Sequence, residues 1–344
     1  MTEHKLSMII EPELPIIDSH HHIWNHPGSR YLIADFLEDA AAGHRIVKTV
    51  FVECLAFYRQ DGPSQMKPVG ETESIRRLAD EVSARSDCSI DIAAGIVGFA
   101  DLSLGSAVDA VLEAHCRAGA GRFKGVRHAS GWDSSDDIPN SHHNPPNGLL
   151  ADSGFRDGFA RLSKYELCYD ASVYHPQLHE VADLADRFPG TRIILDHIGV
   201  PLGIGPYAKQ KAGALEHWKK GIDTLTPLDN VYIKLGGIGM NVLGYDWDCQ
   251  SGDSHTDIAG ASGEHILHCI ERFGPERCMF ESNFPVDREA FSYRAIWNAF
   301  KYLVRDFTRD EKSWLFYRTA EHAYRLSDAE LSPLGSVAAT DCRR

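Results

Sequence analysis

Asp18-Ser19-His20-His21-His22 follows the apolar run Pro15-Ile16-Ile17. Side chains of a strand alternate faces, so an H-x-H pair at the end of such a run sends His20 and His22 to one side and His21 to the other. Two imidazoles about 7 Å apart along one strand face can converge on a single cation of the Zn, Mn or Fe type. A histidine-rich strand end without a metal is the alternative, and the rest of the chain bears on the choice.

Other chemically unusual residues also close apolar runs. Glu53 follows Val50-Phe51-Val52, Arg127 and His128 follow Lys124-Gly125-Val126, and His175 follows Ser172-Val173-Tyr174. Pro176 biases His175 toward extended backbone. His197 sits in Leu195-Asp196-His197-Ile198-Gly199, and Asn283 in Phe280-Glu281-Ser282-Asn283. Thr49, Phe51 and Glu53 are expected to share one face, which would bring Glu53 beside the first histidines. A buried carboxylate needs a cation or a cluster of donors to offset its desolvation. Glu53 is therefore expected, with His20, His22, His175 and His197, to hold one divalent metal ion or two. A salt bridge from Glu53 to Arg127 or Lys124, and substrate contact by His175, are the alternatives. The planar fork of Arg127 suits a substrate carboxylate, a lactone carbonyl or Glu53 itself. His142 and His143, among Asn and Pro in the polar stretch 133–146, read as solvated loop residues, with a loop that covers the site as the alternative. Glu71 and Glu73 read as first-turn acids of a helix.

Such residues can meet only if the elements that carry them converge. Strand-like runs cover 16–20, 49–54, 92–97, 123–127, 167–174, 192–197, 231–235 and 278–282. Helix-like stretches cover 71–85, 107–118, 155–164, 178–187, 215–225 and 264–273, and then 293–306 and 310–325. Alternation of this kind predicts an α/β fold, a (β/α)8 TIM barrel of one domain over 14–326, after an N-terminal extension (1–13) and before a C-terminal tail (327–344). No G-x-G-x-x-G follows the first strand, so a doubly wound open sheet lacks its usual mark. Long polar insertions at 57–70, 129–153, 199–213 and 240–261 fall on the face where barrels build their sites.

The chain has 344 residues, 43% of them apolar and 24% charged, with a net charge of −14. That balance argues against a nucleic-acid or anionic-membrane partner. Eight cysteines (Cys54, Cys88, Cys116, Cys168, Cys249, Cys269, Cys278 and Cys342) contain no C-x-x-C pair and read as reduced thiols of a cytoplasmic protein. Met8-Ile9-Ile10 is too short for a signal peptide, and no run reaches the ~18 residues of a membrane span. Homo- or hetero-oligomers are both open.

The ordered pattern resembles the amidohydrolase superfamily, in its amidohydrolase-2 branch of lactonases, decarboxylases and related enzymes. The D-x-H-x-H start, Gly125-Val126-Arg127-His128, Asp196-His197-Ile198-Gly199 and Glu281-Ser282-Asn283-Phe284-Pro285-Val286-Asp287 follow its order from Leu14 to Leu326. The resemblance implies a barrel hydrolase with His20 and His22 at the metal position, although some lactonases of the branch work without metal. One departure stands out. The branch closes its last strand with G-S-D, whose Asp is the general base, and Asn283 cannot accept a proton. Glu281 shares a strand face with Asn283 and could supply the carboxylate from one layer deeper while the amide orients a ligand. It could equally form a structural ion pair with Lys234 or an Arg. The expected activity is metal-dependent hydrolysis of a small carbonyl substrate, a lactone before an amide, with His197 or a carboxylate taking the proton of metal-activated water. An Fe- or Mn-dependent oxygenase or decarboxylase, and a catalytically silent barrel subunit, are the rival readings.

Overall fold

A computed structural model describes residues 8–245, 247 and 254–326. Eight parallel strands pair in chain order: β1 (Pro15–His21), β2 (Arg45–Val52), β3 (Asp91–Gly98), β4 (Phe123–Arg127), β5 (Cys168–Ala171), β6 (Ile193–Leu195), β7 (Val231–Leu235) and β8 (Cys278–Phe280). Backbone hydrogen bonds just past β8 close the ring, with His22 N donating to Phe284 O (2.7 Å) and Asn283 N to His20 O (2.9 Å). A helix follows each strand: α1 (Ile33–Ala40), α2 (Val69–Ser83), α3 (Asp109–Gly119), α4 (Ser153–Phe159), α5 (Leu178–Arg187), α6 (Lys211–Leu225), α7 (His255–Phe273) and α8 (Tyr293–Leu303). The fold is a (β/α)8 barrel, as the alternation of apolar runs predicts.

Both faces of such a sheet are covered, so its strands are apolar on both sides. Ile16, Phe51, Tyr169, Ile193, Ile233 and Phe280 pack outward against the helices. Ile17, Val50, Val52, Cys168, Ile194, Tyr232 and Met279 form a separate cluster inside the barrel. The chain's last described segment, α9 (Arg309–Ser313), a π-turn (Trp314–Arg318) and α10 (Thr319–Ala323), adds Ala320, Ala323, Tyr324 and Leu326 to that inner cluster. Tyr324 also reaches a polar layer above, where its hydroxyl donates to Asp170 Oδ2 at 2.7 Å.

Several boundaries differ from the sequence reading. β5 ends at Ala171 and β6 at Leu195, so His175 and His197 both stand on short turns beyond their strands. A hairpin (Trp24–His26 with Ser29–Tyr31) and α1 lie between β1 and β2. α7 begins at His255, inside the stretch read as a loop. The six cysteines among the described residues are free thiols. Cys249, Cys342, most of the 1–13 extension and the 327–344 tail lie outside the described residues. No helix among the described residues is long and apolar enough to cross a membrane.

Candidate active site

β1 delivers its histidines through an irregularity in its pairing with β2 between Asp18 and His21. Asp18 turns outward and accepts from Ser282 Oγ (2.6 Å), Ser282 N (2.9 Å) and Tyr293 OH (2.9 Å). Burial pushes its carboxyl up to about 6 against those hydrogen bonds. Beyond the irregularity His20 and His22 face the barrel mouth, with their Nε2 atoms 3.2 Å apart. His21 faces the helix layer, where Nε2 meets Thr49 Oγ1 at 2.9 Å and the ring stacks on Phe36.

That contact corrects the face assigned to β2. Thr49 and Phe51 point outward, and Val50 and Val52 line the interior. Glu53 nevertheless turns inward, because β2 ends at Val52 and the chain leaves the strand path with positive φ at Leu55 and Phe57. Glu71 holds this turn by accepting from Cys54 N (3.1 Å) and Ala56 N (2.8 Å). It is a first-turn acid of α2, as expected, and a buried one, its carboxyl raised to about 8 by desolvation and by Glu53.

Glu281 is the hub of one half of the site. Its Oε1 lies 2.7 Å from His197 Nδ1 and accepts from His197 N at 3.1 Å, while Oε2 lies 3.0 Å from His20 Nδ1. Burial alone would raise this carboxyl, but His197 and His20 outweigh it and hold it at about 2. Conversely, burial would lower His197, and Glu281 with Asp196 reverses the sign, so its pKa is raised. The backbone around His197 is strained: His197, Ile198, Gly199 and Val200 all have positive φ. Gly236 and Gly237 make room, since a Cβ on either would fall within 2.5 Å of Glu281 or His197. Lys234 is not the partner of Glu281. Its Nζ pairs with Asp170 (2.6 Å) and Asp196 (2.9 Å) and lies 3.0 Å from His20 Nδ1.

Asn283, also at positive φ, donates through Nδ2 to Asp287 Oδ1 at 2.8 Å. Asp287 Oδ2 accepts from Gly239 N (2.9 Å), and burial raises this carboxyl to about 7. The acid absent at 283 thus has a buried neighbour at 287, inside the quoted motif but without an assigned role there.

Arg127 organises the other half. Its Nε donates to Glu53 Oε1 (2.8 Å) and Nη2 to Glu53 O, while Nη1 lies 3.3 Å from His20 Nε2 and 3.6 Å from Asp196 Oδ2. Every nitrogen of this fork meets a protein group. His142 Nε2 and His143 Nε2 stand 2.8 and 3.1 Å from the two Glu53 oxygens, so these histidines are not the solvated loop residues expected. Burial would raise Glu53, but Arg127, His142 and His143 hold it well below the usual carboxylate range. His175 joins neither half. Its Nδ1 accepts from Leu202 N at 3.0 Å, and its ring packs on Tyr207 and His217. The ligand set read from sequence is therefore split: His20, His197 and Glu281 group together, and Glu53 groups with His142 and His143.

The donor set around β1 fits a metal ion. His22 Nδ1 is 2.8 Å from Val52 O, and His20 Nδ1 faces Glu281. With hydrogens on both Nδ1 atoms, two Nε2 lone pairs face one another at 3.2 Å, the spacing of two nitrogens each ~2.1 Å from one cation. A carboxylate or carbonyl behind each ligating imidazole is the usual outer support of such a site. In the other tautomer of His20, Lys234 donates to Nδ1 and Nε2–H points at His22, an arrangement a cation would displace. Charge points the same way. Four buried carboxylates (Glu53, Asp170, Asp196 and Glu281) face only two buried cations, Arg127 and Lys234.

A closed barrel with buried imidazoles and carboxylates at its strand ends is an arrangement suited to a metal-dependent barrel enzyme. The amidohydrolase family model matches residues 17–326, and the chain belongs to that family. An uncharacterized protein, y4mH, of Sinorhizobium fredii is 31% identical over 91% of this chain and 99% of its own length. An L-fucono-1,5-lactonase of Burkholderia multivorans is 27% identical over 95% of each chain. A zinc-bound amidohydrolase structure from Burkholderia multivorans superposes with a TM-score of 0.68 at 24% identity, covering 91% of this chain and 99% of that one.

Proposed function

We propose that this protein hydrolyses an uncharged lactone to its hydroxy acid, with a divalent metal held by His20 and His22. The observation that carries the reading is the 3.2 Å approach of the two Nε2 atoms, with His22 Nδ1 2.8 Å from Val52 O and His20 Nδ1 3.0 Å from Glu281 Oε2. The similarity to an L-fucono-1,5-lactonase and to a zinc-bound barrel supports it. When bound, the ion supplies Lewis-acid polarisation of the carbonyl and acidifies a water to a pKa near ~7.

The chain's own residues do the rest. Glu281 holds His197 by Nδ1 and leaves Nε2 to take a proton from the attacking water. Water oxygen bonds to the carbonyl carbon, the ring C–O bond breaks, and the proton on His197 passes to the departing ring oxygen. Asn283 takes no proton; its amide is held by Asp287. Arg127 steadies Glu53 and the mouth instead of clamping a substrate carboxylate, because its nitrogens are engaged by Glu53, His20 and Asp196. That favours a neutral, hydroxyl-bearing lactone over an anionic one. A panel of neutral sugar lactones and lactones bearing a carboxylate, assayed with metal-loaded protein, tests this. Turnover confined to carboxylate-bearing lactones, or to none, would contradict it.

A further inference from the structure

We infer that Glu53, His142 and His143 form a second divalent-cation site, carried by the loop folded over the barrel mouth. Glu53 lies 89 and 90 residues before the adjacent His142 and His143, yet each of its carboxylate oxygens faces its own imidazole nitrogen, at 2.8 and 3.1 Å. Two His and one Glu are the donor set of an open zinc site, with three protein ligands and a fourth position left for water or substrate. Glu53 is fully buried and His143 nearly so, while His142 is 35% exposed, which gives the fourth position a way to solvent. In a tetrahedral site with bonds of ~2.1 Å the donors stand about 3.4 Å apart, and here one donor atom from each of the three residues lies within 4.8 Å of the others.

Bonds that do not involve the two imidazoles brace the loop. Ser141 N and Oγ both donate to Gly131 O (3.0 Å each), and Asn140 Nδ2 donates to Asn144 Oδ1 (2.8 Å). Tyr174 OH reaches Pro139 O at 2.6 Å. The His143 ring is fixed from one side by stacking on Phe99, with centroids 3.8 Å apart. Both rings are thus aimed at Glu53 before any ion arrives. Arg127 Nε on Glu53 Oε1 is the outer hydrogen bond that a ligating carboxylate normally has. A clamp of hydrogen bonds alone would hold the loop with the same residues, and the test separates the two.

The full chain is stripped with a chelator and titrated with Zn²⁺ alone. Bound metal is counted for wild type, His142→Ala/His143→Ala and His20→Ala/His22→Ala, with circular dichroism reporting the fold of each. The expected result is that each double variant binds one ion fewer than wild type. The Co²⁺-loaded His20→Ala/His22→Ala protein should keep a tetrahedral cobalt spectrum that is abolished when His142 and His143 are also replaced. Metal content lost in His142→Ala/His143→Ala but not in His20→Ala/His22→Ala supports this site and removes the one between His20 and His22. Unchanged metal content in a folded His142→Ala/His143→Ala protein overturns the inference. Should that variant not fold, loss of the cobalt spectrum from His20→Ala/His22→Ala alone overturns it.

Discussion

His197 Nδ1 and Glu281 Oε1 are 2.7 Å apart in the barrel interior, and the same carboxylate faces His20 Nδ1 through its other oxygen. One acid therefore orients both the imidazole placed to move a proton and an imidazole placed to hold a metal. Its charge also raises the His197 pKa.

Glu281→Gln keeps the shape and removes that charge. A base must be unprotonated, so wild-type kcat/KM should fall as pH drops through a value above the ordinary histidine 6.5. In the variant this limb should move to lower pH. The plateau should fall roughly 100-fold, about 2.7 kcal/mol of barrier. An unmoved acid limb in the pH–rate profile would detach Glu281 from His197.

Asn283→Asp places a second carboxyl where Nδ2 now meets Asp287 at 2.8 Å. Like charges at that distance force one member of the pair to stay protonated, so the new acid shares its proton with Asp287 and is not a free base. Lactone kcat/KM should fall. A rise of tenfold, worth about 1.4 kcal/mol, would mean that an acid at position 283 can serve as the general base in this site.

Asp287 links the site to stability. Its pKa is raised from 3.8 to about 7 by burial, so the folded protein holds this proton more tightly than the unfolded chain. The contribution is present at low pH and lost as pH rises from about 4 to about 7, up to about 4 kcal/mol in all. Asp287→Asn cannot titrate. The drop in unfolding free energy between pH 5 and pH 8, measured by urea titration, should therefore be smaller in the variant. An equal drop in both proteins would show that Asp287 is ionised at little cost.

Tyr324 ties the C-terminal plug to the polar layer of the barrel through Asp170, itself paired with Lys234. Tyr324→Phe leaves the packing and removes one hydrogen bond to a buried carboxylate, a loss of roughly 1.5–3 kcal/mol. Chemical denaturation should show that loss. A change below about 0.5 kcal/mol would mark the contact as incidental.

What could be read from sequence follows from which physical signals are periodic. The eight apolar runs announce the barrel, and alternation along His20–His22 separates His21 from its neighbours, while the irregularity between Asp18 and His21 is not legible in the sequence. Glu281 stands out because an acid replaces a glycine in an otherwise apolar strand. Alternation does not bring Glu53 to the site, since Thr49 and Phe51 face outward; the end of β2 and the turn held by Glu71 do. His175 was placed there by extending β5 past Ala171, its actual end. His142 and His143 lie in a loop without periodicity, and only tertiary closure onto Glu53 shows their role. Two adjacent histidines in the longest insertion were the one available hint.

Metal content measured beside lactone hydrolysis, in wild type and in His22→Ala, tests the metal assignment most directly. His22 carries one of the two facing Nε2 atoms, and its Nδ1 is anchored on Val52 O. The expected result is one divalent ion fewer per chain in His22→Ala, with kcat/KM on neutral lactones reduced on the order of 1000-fold, about 4 kcal/mol. Equal metal content with hydrolysis intact in the variant would contradict it.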